Sequence, residues 1–123
     1  RALLKAILFR PYAVDNATGV ITITDLVPVN HVAAPSGATH VAFTAGWGKV
    51  NFADGTFTVE MSPATNLAID ATQSSVTLTP PQAPTGTGTD MFLLMVEFFQ
   101  EVNGNQYSLN DGLYNALTVV DVA

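Results

Sequence analysis

Cysteine is absent from the 123 residues, which excludes disulfides and thiolate-held metals and leaves the redox compartment unread. Charge is scarce. Charged residues make up 11% of the chain, against about 25% in ordinary soluble domains. Only four are basic, Arg1, Lys5, Arg10 and Lys49, against ten acids, for a net charge of −6. The cationic surface that dominates binding to phosphate backbones is therefore missing, and nucleic acid is not expected as a partner. No basic amphipathic helix is present for anionic lipid, and no apolar run approaches the ~18 residues of a membrane span. The two histidines, His31 and His40, have no ligand spacing between them. The acids are scattered singly, and Glu97 and Glu101 fall where a solvated hairpin tip is expected. Asp54-Gly55 lacks the further oxygens of a calcium loop and is expected to be a turn. The sequence thus predicts no enzyme, no metal and no cofactor.

What is present is apolar. Hydrophobic residues reach 48%, enough for a single core, and the length predicts one domain over residues 1–123. A surface with so few charges relies on Thr, Ser, Asn and Gln, or is covered by partners, which favours an assembled protein. The chain begins at Arg1 rather than Met, so it is expected to be either a trimmed piece or a processed mature form. Processing would imply export, to the extracellular space or the cell surface.

Residues 91–123 nearly dictate their own structure. Asn103-Gly104 lies between two β-prone runs, the strongest short-range signal for a hairpin with a type I′ turn. A two-residue loop pairs Val102 with Asn105, Gln100 with Tyr107 and Phe98 with Leu109. One face then carries Phe92, Leu94, Val96, Phe98, Val102, Tyr107 and Leu109, and is expected to be core. The opposite face is polar near the turn and apolar at Leu93, Met95 and Phe99, so the base is expected to be covered on both sides. A second turn at residues 110–112 leads to a last strand over residues 115–122.

Earlier in the chain, residues 20–27 (VITITDLV) and 39–45 alternate and read as strands. Gly46-Trp47-Gly48 suggests a bulge or corner. Residues 49–52 and 56–61 read as a hairpin about Asp54-Gly55, residues 67–69 as a short extended piece, and 75–79 as another strand. Residues 80–90 (PPQAPTGTGTD) form a long crossover between sheets. Short strands about ten residues apart, with no long helix, predict an all-β fold, an antiparallel two-sheet sandwich of immunoglobulin-like type.

The N-terminal run ALLKAILF, residues 2–9, fits a doubly buried strand, with Ala2, Leu4, Ala6 and Leu8 on one face and Leu3, Ile7 and Phe9 on the other. Helical spacing fits as well, and the strand is preferred. Such a strand over residues 1–10 either completes its own sheet or is donated to a neighbouring copy, and a repeated donation builds a filament. The expected assembly interface is Leu3, Leu4, Ile7, Leu8 and Phe9, together with Leu117, Val119 and Val120 of the last strand, and the expected partners are copies of the chain itself. Trp47 between glycines offers the alternative, a surface-displayed module that stacks a carbohydrate ring on the indole, against its use as a core residue. Asn16-Ala17-Thr18 matches a glycosylation acceptor and is read as a turn.

VEFFQEVNGNQYSL and YNALTVV, with PYAVDNATGVITI and HVAAPSGATHVAF, give the chain from Pro11 onward a resemblance to an uncharacterised family of β-rich proteins from Bacteroidota. Members share an EFxQEVNG hairpin and a YNAL final strand. They carry a further N-terminal region, which would fit processing before Arg1. The resemblance implies a one-domain β architecture and transfers no functional residue.

Overall fold

The computed structural model describes residues 4–109 and 116–122. These form nine strands and two single helical turns. In chain order they are α1 (Leu4–Ile7), β1 (Tyr12–Val14), β2 (Ile21–Leu26), α2 (Pro28–His31), β3 (His40–Asn51), β4 (Thr56–Met61), β5 (Thr65–Ala68), β6 (Ser74–Leu78), β7 (Thr89–Val102), β8 (Asn105–Ser108) and β9 (Ala116–Val122). All pairings are antiparallel. A small sheet has the order β1-β2-β6, and a larger one is built on the β3–β7 pair. Strands β4 and β5 share the far edge of β3, while β8 and β9 share the far edge of β7.

Alternation along β3 and β7 makes the core. Val41, Phe43 and Ala45 lie beside Phe98, Val96 and Leu94, and all six are buried. Ile21, Ile23, Val76 and Leu78 of the small sheet alternate in the same way and close over them. The two sheets therefore bury one face each, as an antiparallel sandwich requires. Residues 79–88 carry the chain from β6 in the small sheet to β7 in the large one, the expected crossover.

The C-terminal hairpin has the predicted register, Val102 opposite Asn105 and Gln100 opposite Tyr107, and Asn103 and Gly104 take φ of 53° and 82°. Its core face ends sooner than expected. Phe92 to Phe98 are buried on alternate positions, but Val102 and Tyr107 are 45% and 57% exposed. The small sheet is only three short strands, so the ribbon runs out from under its cover. Nor is the opposite face of the base covered, since Leu93, Met95 and Phe99 are only half-buried.

Two further expectations are corrected. Residues 4–7 are a helical turn rather than a strand, closed by the Leu8 N–H donating to the Leu4 carbonyl (2.8 Å). A strand would divide Leu4 and Leu8 from Ile7 between two faces, whereas one helical turn puts all three on one side. All three are buried. Gly46-Trp47-Gly48 is neither bulge nor corner, because β3 pairs without a break through these positions on both sides. The glycines are demanded by packing. A Cβ at Gly46 would stand 2.9 Å from the Met61 sulfur, and one at Gly48 would stand 2.7 Å from the Phe57 ring. The sequence also concealed β1 and α2, the latter opened by Pro28 at a first helical position, where its missing N–H is harmless. The turn expected at 110–112 lies outside the described residues.

Where the sandwich ends can be measured by denaturant unfolding. Phe98→Ala should destabilise by roughly 3–5 kcal/mol as a buried aromatic truncation, while Tyr107→Ala, one ribbon position beyond, should stay within about 0.5 kcal/mol.

Candidate assembly surface

The residues expected at an interface separate into two groups. Leu4, Ile7 and Leu8 belong to the subunit's own core. Their segment is tied down by a short antiparallel contact in which the Phe9 N–H donates to the His31 carbonyl and the Ala33 N–H to that of Ile7, both at 2.7 Å. Phe9 itself is 58% exposed, and Leu3 lies outside the described residues. The second group sits on β9. Leu117 and Val119 are 41% and 44% exposed, and Val120 packs partly on the core. A bulge explains the change of side, because the β7–β9 register shifts between Leu93 and Phe92 and leaves Val120 as the extra residue.

Among the described residues, β4 pairs only with β3, and β9 only with β7. The larger sheet therefore presents two strand edges with unpaired backbone groups. Its strands alternate in direction, so β4 and β9, three steps apart, run opposite ways. The outward face of the same sheet carries Phe57, Val59 and Met61 from β4, which the sequence reading did not single out. Their alternation in TFTVEM was a visible signal, but it gives two-residue periodicity without saying which face is covered.

Trp47 is 8% exposed. Its ring lies 5.7 Å from that of Phe92, and the turn at Gly19 comes close against it. The indole N–H donates to Asp90 Oδ1 at 3.2 Å, and the Lys49 ammonium meets the same oxygen at 3.2 Å. This is a buried tryptophan with a satisfied polar end. Gly19 has φ +76°, and a Cβ there would stand 2.6 Å from the indole.

The remaining polar candidates are engaged in local structure. His31 Nδ1 accepts from the Val27 N–H (2.9 Å) beneath α2, and His40 Nδ1 lies 2.9 Å from the Thr39 hydroxyl. Asp54 closes the β3–β4 turn, accepting at Oδ1 from the Thr56 hydroxyl (2.7 Å) and backbone N–H (2.9 Å). The hydroxyl first, then the N–H, hold its carboxyl below the ordinary value of 3.8. That favours the ionised form. Among the described residues no cluster of three or more His, Cys, Asp or Glu could hold a metal. No helix among them is long and apolar enough to cross a membrane.

Three measurements check this geometry. Trp47, the sole tryptophan, should emit at short wavelength and resist acrylamide quenching until the protein unfolds. Gly19→Ala should destabilise by roughly 2–4 kcal/mol through a left-handed backbone and a clash with an immobile ring. For Asp54, Thr56→Val should raise the carboxyl pKa in an NMR titration. Because the folded-state value is depressed, the turn's contribution is present above 3.8 and lost as pH falls through the folded value.

No protein-family model, curated protein or solved structure matches this chain.

Proposed function

We propose that this chain is a structural, non-catalytic subunit that assembles with copies of itself into a filament outside the cell or on its surface, joined by β-strand complementation. The observation that carries this reading is the pair of open edges on the larger sheet. Because β4 and β9 run in opposite directions, a second copy set alongside the first without being turned brings its β4 antiparallel to the first copy's β9. Such a contact joins two different surfaces, so it does not close and propagates. Unpaired strand edges are templates for addition of this kind.

Of the two donor segments considered, β9 is favoured over residues 1–10. Leu4, Ile7 and Leu8 of the latter would have to vacate their own core before filling a neighbour's. The bulge at Val120 confines regular pairing to the first half of β9, whereas β4 has no register shift against β3, which makes β4 the receptive edge. The immunoglobulin-like reading is supported by strand order. β1-β2-β6 facing β4-β3-β7-β9 follows the order A-B-E facing C′-C-F-G, with Trp47 on the strand corresponding to C. The carbohydrate-binding alternative has no such support, since its stacking residue is buried.

Light scattering and negative-stain imaging of the purified protein test the proposal. Particles should lengthen with concentration, with slowed amide exchange in β4 and β9. A synthetic peptide of residues 116–122 with a solubilising lysine tag should cap β4 and shorten them. A particle of 12.9 kDa at every concentration, with freely exchanging edge amides, would sink it. Surface proteolysis of intact producing cells should remove the protein.

A further inference from the structure

We infer that the outward face of the larger sheet is a docking surface for a second copy of this chain, the two sheets stacking face to face. This contact is made by side chains rather than by strand edges, and it shares with the edge reading only its partner.

The register sets out the face in rows. Met61, Gly46, Leu93 and Val119 lie side by side across four strands, and Val59, Gly48, Met91 and Val122 form the next row. Met95 and Leu117 continue the pattern beside Thr44. Both central positions are glycines, over which the Met61 thioether and the Phe57 ring lie. The gaps at both glycines are thereby filled by apolar side chains, the arrangement that packing against another sheet about 10 Å away requires.

The small sheet shows what this protein places on a strand face that meets water. Its outward positions on β2 and β6 are Thr22, Thr24, Ser75 and Thr77, with the small Ala13 beside Thr22 on β1. On the larger sheet the corresponding positions carry Phe57, Val59, Met61, Leu117, Val119 and Val122, which are 38–55% exposed. With the half-buried side chains between them, they offer on the order of 500–600 Å² of apolar surface, at the top of the range for the largest patch on a monomer. A homodimer interface of about 800 Å² a side and about 65% apolar needs roughly 500 Å² from each copy. The face supplies that amount.

Charge identifies the occupant. The chain carries a net charge of −6, yet these rows contain no ionisable side chain, and the first carboxylate along the face is Glu97, beside Ala42. A cationic partner would be met by acids within its footprint. Two identical acidic chains instead need a footprint free of them, because like charges buried opposite one another are strongly unfavourable. A two-fold axis crossing the strands also sends the two Glu97 carboxylates to opposite ends. All three methionines of the chain, Met61, Met91 and Met95, lie on this face, where unbranched thioethers adapt to an opposing surface.

Methionine methyl groups also report the contact. In protein labelled with 13C-methyl methionine and mixed with unlabelled protein, intermolecular contacts should appear at these methyls. The mass by sedimentation, with the edge-capping peptide present, should be twice the 12.9 kDa chain mass. The double variant Val59→Lys/Leu117→Lys should raise the dissociation constant by at least about 100-fold, since the two-fold axis brings each lysine into the apolar footprint twice. Its melting temperature should hold, because both residues are exposed in the single subunit. Thr24→Lys/Thr77→Lys on the small sheet should leave the mass unchanged. A monomer at hundreds of micromolar would overturn the proposal. So would a dimer that survives the double variant, or a monomer whose methionine methyls contact neutral phosphatidylcholine vesicles. Should the double variant not fold, the methyl contacts of the unsubstituted protein decide. A dimer that forms no filaments even without the peptide refutes the edge reading alone.

Discussion

The pairing of β3 with β7 is the constraint on which the rest of this protein depends. From His40–Phe99 to Val50–Thr89 it runs without a break, and every other strand of the larger sheet pairs with one of these two. An antiparallel ladder of this length has one free variable, its register. A slip of β7 by one residue against β3 would turn Val96 outward and bring Met95 toward the core. The contrast between the two faces therefore fixes the pairing more firmly than any single contact. The bends of the chain follow from it, since β4 and β5 each need only half of β3, and β8 and β9 each need only half of β7.

That spine also divides the molecule chemically. Its inward face is met by the small sheet and sealed by the helical turn at residues 4–7. The turn is built from three apolar side chains that share one side only when helical. The outward face has no equivalent cover among the described residues. An ordinary solution to that exposure is present on the same protein, in the threonines and serine of the small sheet. The difference between these two outward faces is the observation from which the inferred face-to-face contact is argued.

The sequence was most legible where local chemistry and periodicity agreed. Asn103-Gly104 specified its turn and register, and the alternation of residues 20–27 and 75–79 marked two strands that pair side by side in the small sheet. It misled where two periodicities were superimposed, as at residues 4–8, or where a residue's reason lay in a distant partner. Gly46 and Gly48 look like breaks in a strand because their cause, the side chains of Met61 and Phe57, is more than eight residues away. The open edges were legible only in part. Leu117 and Val119 were identified in the last strand, but β4 was not, because a strand does not announce whether it has one neighbour or two. The outward apolar face escaped for the same reason. Alternation predicts that a side chain turns away from the core and is silent on what meets it there.

The ribbon beyond Phe98 has a consequence for how this protein can vary. Past that residue the hairpin runs out from under the small sheet, held at its sides by the Glu101 N–H on the Thr39 hydroxyl (2.8 Å) and Asn66 on Gln106 (2.8 Å), while Val102 and Tyr107 face solvent. Lengthening it by one residue in each strand moves the tip outward without changing the register beneath. The tip is therefore where descendants of this chain can acquire new loops and surface epitopes while the core and the edges stay as they are.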